Sequence, residues 1–182
     1  MPVEQEKPSQ GESILAKEFV ERVLVAAREN LEKDGHLLPA LFLQFANGER
    51  DIFLLKELPD TTDEKQAYFT ALGLFVRSAR GGIREAVFVS EVWYVGLEEE
   101  GADPEVAPSR HPGRQEAIVI VGRDAGGTRQ TFAIQPFARD RQNQPVIGQR
   151  KMEEYNATTD DGPRAVGLID HLFPQDDGRV AS

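Results

Sequence analysis

"HLLPALFLQFANGERDIFLLKEL", His36 to Leu58, is the stretch on which the fold turns. It is apolar on both alternating faces, so any strands it forms need cover on at least one side. At its centre stands Asn47-Gly48, the dipeptide that best tolerates the positive φ angles of a two-residue hairpin turn. The spacing predicts strands near 37–46 and 50–57. Pro39 has no N–H to give to a ladder, so the first strand starts after it, bulges there, or lies at an edge.

Helical periods flank the hairpin. Upstream, Val20, Val23, Leu24, Ala27 and Leu31 recur every three to four residues, predicting a helix from Ser13 to Lys33 that ends at Gly35. Downstream, "LPDTTDEKQAYFTALGLFVRSARGG" (58–82) carries Thr61 and Glu64 at capping-box spacing, with Gly81-Gly82 as its stop. Its stripe of Tyr68, Ala71, Leu72, Phe75, Val76 and Ala79 is expected to pack on a sheet, with Phe75 among the buried residues. Three β-rich runs follow, "REAVFVSEVWYVGL" (84–97), "EAIVIVGR" (116–123) and "TRQTFAIQPF" (128–137), the last two joined by a turn at "DAGG". The order is α-β-β-α-β-β-β. Two helices against about five mainly antiparallel strands is the simplest assembly that buries these faces, and the class is α+β. A mixed sheet is open as well, with the second helix as a crossover.

The ends look different. Residues 1–11 are charged and proline-bearing, and read as a disordered tail; residues 12–140 read as one domain. Residues 141–182 read as loop and flexible tail, interrupted by an apolar island at 165–173. Val166, Ile169, Leu172 and Phe173 would share one face of a helix there, to dock on their own domain, on another subunit, or on a separate partner.

Composition narrows the function. The 182-residue chain carries a net charge of −10, which opposes general nucleic-acid binding. Charge is uneven, however: from Ser109 to Lys151 eight basic residues stand against Glu116, Asp124 and Asp140. The chain has no cysteine, which excludes disulfides and thiol chemistry, and no apolar run long enough to span a bilayer. A cytoplasmic location is the expectation, and fifteen arginines against six lysines match a GC-rich bacterial coding sequence. No phosphate loop, zinc helix or nucleophile elbow is spelled out, so neither a cofactor nor a metal is expected.

Candidate chemistry is therefore sparse. Glu91 lies on an apolar strand face, where burial would favour acid–base work, unless Arg123 or Arg129 pairs with it across the sheet. His111 sits between Arg110 and Arg114 in a proline-stiffened segment that ends the long acidic loop 98–114. With Arg129, these three form a candidate anion contact. The reading favoured by the whole is a non-catalytic binding or protein-interaction module, whose partner is another protein or a second copy. The alternatives are a hydrolase or transferase acting on a small anion, with Glu91 and His111 as the acid–base pair, and a small-anion sensor.

Overall fold

The computed structural model describes residues 13–95, 108–149, 151–156 and 167–174. The expected N-terminal tail, the acidic first half of the 98–114 loop, Val166 and the last eight residues lie outside them. Among the described residues no helix is long and apolar enough to cross a membrane.

Seven strands among the described residues form one sheet, every pairing antiparallel. They are β1 (Ala40–Phe45), β2 (Arg50–Leu54), β3 (Ile83–Tyr94), β4 (Gln115–Asp124), β5 (Arg129–Arg139), β6 (Pro145–Ile147) and β7 (Lys151–Asn156). The order is β2-β1-β3-β4-β5-β6, with β7 on the same edge of β5 as β6 but nearer its start. Helices α1 (Lys17–Asp34) and α2 (Thr62–Arg80) complete the α+β fold in the expected element order. α2 carries the chain from β2 past β1 to β3, so it bridges one strand without creating a parallel pair.

Local chemistry explains the boundaries. Gly48 turns the β1–β2 hairpin at φ 86°, and the Asn47 side chain accepts the Glu49 N–H at 2.9 Å. Pro39 stays outside the ladder, and its carbonyl accepts the Leu55 N–H at 2.8 Å. The Thr61–Glu64 capping box is formed in both directions. α1 begins at Lys17, four residues later than expected. Ser13 is not helical because its hydroxyl and the N–H of Ile14 are drawn 2.7–2.8 Å from the buried Glu85 carboxylate.

The sheet has a core on each face. Val87, Val89, Ile118, Ile120 and Ala133 pack under α1 with Val20, Leu24 and Leu31. Leu41, Leu43, Ala86 and Phe88 pack on the other face against Phe69 and Val76 of α2. The apolar island enters this second core. Residues Leu168–Leu172 form a 3₁₀ turn laid on α2, with Ile169, Leu172 and Phe173 buried. The fit depends on Gly73, where an added Cβ would stand 2.5 Å from the Leu172 carbonyl oxygen. Arg77 donates to that same oxygen, and Arg123 pairs with Asp170 and lies over the Phe173 ring.

Two expectations need correction. The segment after Arg139, read as loop, contains β6 and β7. Asp140 organises the turn between β5 and β6 by accepting the N–H groups of Gln142 and Gln144 at 2.8 Å each. Phe75, read as buried, is 66% exposed, while Phe69 is fully buried. The stripe is wider than one contact face: the sheet takes its Leu72/Val76 edge together with Phe69, which lies just outside it. Phe69→Ala should therefore cost about 3–5 kcal/mol in urea unfolding, and Phe75→Ala less than about 1 kcal/mol. Equal losses would show that the helix is rotated from this arrangement.

Candidate functional site

Glu91 finds a different arginine from the two expected. Arg139 of β5 donates to Glu91 at 3.0 Å, to Glu116 at 3.0 Å, and to the Gly35 carbonyl at 2.8 Å. The second Glu91 oxygen accepts the Leu37 N–H at 3.2 Å. Burial lowers the Arg139 pKa, but Glu116 and Glu91 outweigh it and raise the guanidinium above its ordinary value. One arginine fork thus ties three strands to the end of α1.

A second cluster lies at the far end of the same strands. Arg129 pairs with Glu85 and Asp124 and donates to the Ser13 hydroxyl at 2.8 Å. Arg123 is spent on Asp170. Burial pushes the Asp124 carboxyl up, but hydrogen bonds from the Thr128 hydroxyl and from the backbone and side chain of Arg129 and Thr128 together hold it below its ordinary value of 3.8.

The proposed anion group does not converge. Arg114 precedes β4 and Arg129 follows it, so the ten residues of the strand hold them about 30 Å apart. Arg110 ends a short 3₁₀ turn, exposed. His111 is buried, and its Nδ1 accepts the Gly113 N–H at 3.1 Å. Arg114 lies over the Trp93 ring, 4.9 Å from its centre. Among the described residues, no set of three or more histidine and acidic side chains is arranged to hold a metal ion.

Among the described residues, two hollows are open to ligands. One, of about 470 Å³, is lined by Trp93, Arg114, Phe137 and Val146 at the β6 edge. The other, of about 430 Å³, runs along the flank of α1 above the β1–β2 hairpin. Its floor is Ala40, Phe42, Ile52 and Leu54, its wall Val23, Ala26 and Ala27, and its rim Arg22, Asn30, Asp34 and His36. Glu91 and His111 line neither. Ile52 and Leu54 are 58% and 59% exposed, on an edge strand where apolar residues are an association risk.

Sheet arithmetic accounts for the groove. Six strand positions about 4.8 Å apart span about 24 Å, while a helix with its side chains covers about 10–12 Å. α1 packs over β4 and reaches β6; at the other end Phe19 meets Phe42 of β1 edge-on, while Ile52 and Leu54 of β2 stay exposed. The sequence signal was present, since the hairpin is apolar on both faces and only one helix precedes it. Which strands that helix would cover depends on strand order, which the chain does not spell.

No family model, curated protein or solved structure matches this chain.

The Asp124 carboxyl yields a test of the second cluster. Its depressed pKa contributes stability that is present above pH 3.8 and lost as pH falls below that toward the folded value. In Asp124→Asn, melting temperature should fall less steeply between about pH 4.5 and 2.5 than in the parent. Parallel acid limbs would remove Asp124 from the account.

Proposed function

We propose that this chain is a non-catalytic binding module whose contact face is the groove between α1 and the β1–β2 hairpin. The groove itself carries the reading: an apolar channel of about 430 Å³ with a few polar groups confined to its rim. Sites of that size and lining recognise ligands by shape and burial.

Geometry favours a segment of a partner protein. The groove-lining residues of α1 run from Arg22 to Asp34, about 18 Å of helix axis. Ala26 and Ala27 are small enough to let a second helix approach to the usual 8–10 Å. Such a helix would lie beside α1, cover Ile52 and Leu54, and fill the bare half of that layer. Arg22, Asp34 and Asn30 would then select its polar residues, as a rim does around an apolar centre.

The test is a displayed library of helical peptides selected on the parent protein. Enriched sequences should carry apolar residues at i, i+4 and i+7, and should bind the double variant Ile52→Glu, Leu54→Glu at least about tenfold more weakly. Both side chains are exposed, so the variant should keep the parent's melting temperature. Binders that ignore the double variant would place the contact face elsewhere.

A further inference from the structure

The outward face of α2 lacks the chemistry of a solvated surface. α1 turns Lys17, Glu18, Arg22, Glu29, Glu32 and Lys33 toward solvent, as an outer helix face usually does. α2 turns out Ala67, Ala71, Leu74, Phe75, Ser78 and Ala79, three turns without a charge. Leu74 is 59% exposed, and Phe75 is more exposed still. The inner face of this helix is already spent on the sheet and on the 168–173 segment. α2 is thus apolar on two faces, and the described residues cover only one of them.

We propose that this second face is the docking surface for a second copy of the chain, with the two α2 helices antiparallel across a two-fold axis. The face is self-complementary, as a two-fold contact requires. With the axis between Ala71 and Leu74, each Ala71 meets Leu74 and Phe75 of the other copy, and each Ala67 meets Ser78 and Ala79. At the axis each small Ala71 lies opposite the large Leu74 and Phe75, so those knobs enter the gap above it, while Ala67 against Ser78 and Ala79 is small against small and lets the helix ends approach closely. Charge agrees with shape. The first turn of α2 holds Asp63 and Glu64, and the last holds the exposed Arg80, which stands 3.5–3.6 Å from Glu49 and Asp51 of its own chain; Arg77 is turned inward onto Leu172. Antiparallel pairing brings each acidic end beside a basic end, and it opposes the two helix dipoles.

The sequence of the remaining segments offers no alternative cover. Residues 1–12, 96–107, 157–166 and 175–182 spell proline, glycine and acid, with no apolar stripe at helical spacing. A second copy does supply it, and at the same residues on both sides. The contact is independent of the α1 groove, which opens on the opposite face of the sheet. One helix pair is a small interface, so the expected affinity is micromolar.

Sedimentation velocity on the full chain, from about 1 to 200 µM, reads the association directly. The mass should rise with concentration from 20.2 kDa toward twice that value. Phe75→Glu should hold the chain at the lower mass at every concentration with an unchanged melting temperature, because the ring is exposed in the single copy. Since the chain has no cysteine, Leu74→Cys places one thiol near the axis, and mild oxidation should link it into a covalent dimer. Val25→Cys, on the outward side of α1, should remain monomeric under the same treatment. A parent protein that never exceeds 20.2 kDa, a dimer that Phe75→Glu leaves intact, or Leu74→Cys linking no faster than Val25→Cys overturns the proposal.

Discussion

β3 serves two cores at once. Val87 and Val89 belong to the layer under α1, and Ala86 and Phe88 belong to the layer under α2. A strand so used cannot slip by one residue without exchanging its two faces. Its apolar pattern alone would not forbid that slip, because both faces are apolar. The polar fasteners do. Glu85 and Glu91 stand six residues apart on one face, and each has an arginine waiting on β5, Arg129 for the first and Arg139 for the second. A shift by one residue would turn both acids into the opposite core, and a shift by two would leave them short of their partners. Buried charges left without partners cost several kcal/mol each, so one register is selected over its neighbours.

The two layers are finished differently. Under α1 the cover is one helix wide, and the sheet's β1–β2 end is left open as a groove. Under α2 the cover is a helix plus the 168–173 segment, fitted together at Gly73. The first layer therefore keeps exposed apolar residues on strands, and the second keeps them on the outside of its helix. If both surfaces are occupied as proposed, a dimer joined through α2 carries two grooves directed away from its axis. A partner with two suitable helices would then bind more tightly than either contact alone predicts, provided its linker spans the distance.

The strongest signals in the sequence are legible because their causes are local. Asn47-Gly48 sets a turn, and Thr61 with Glu64 sets a helix start, through contacts within three residues. Apolar periodicity was enough for α1, α2 and the long strands. It failed where the deciding contact is distant. β6 is only three residues and β7 is polar, so pairing with β5 defines them and no pattern announces them. A wide stripe does not say which of its edges meets the sheet, so Phe75 looks like core in the sequence and is exposed in the fold. The sequence leaves Glu91 open between acid–base work and pairing with Arg123 or Arg129; Arg139 is the partner in the fold, since which arginine reaches which acid depends on strand register. The groove is only half legible for the same reason: the hairpin's two apolar faces show in the sequence, but which strands a helix leaves uncovered is a property of strand order.

The 168–173 segment also sets a timetable. Arg77 and Leu172 are 95 residues apart in sequence, yet one bonds the other across the surface of α2. During synthesis, the hairpin, α2 and β3 all emerge well before the residues that cover Phe69 and Phe88. At about 5–20 residues per second, that face of the sheet waits on the order of 5–20 s for its last piece. For that interval the nascent chain displays an apolar surface that the finished protein hides, which is the period when a chaperone or a neighbouring nascent copy has access to it.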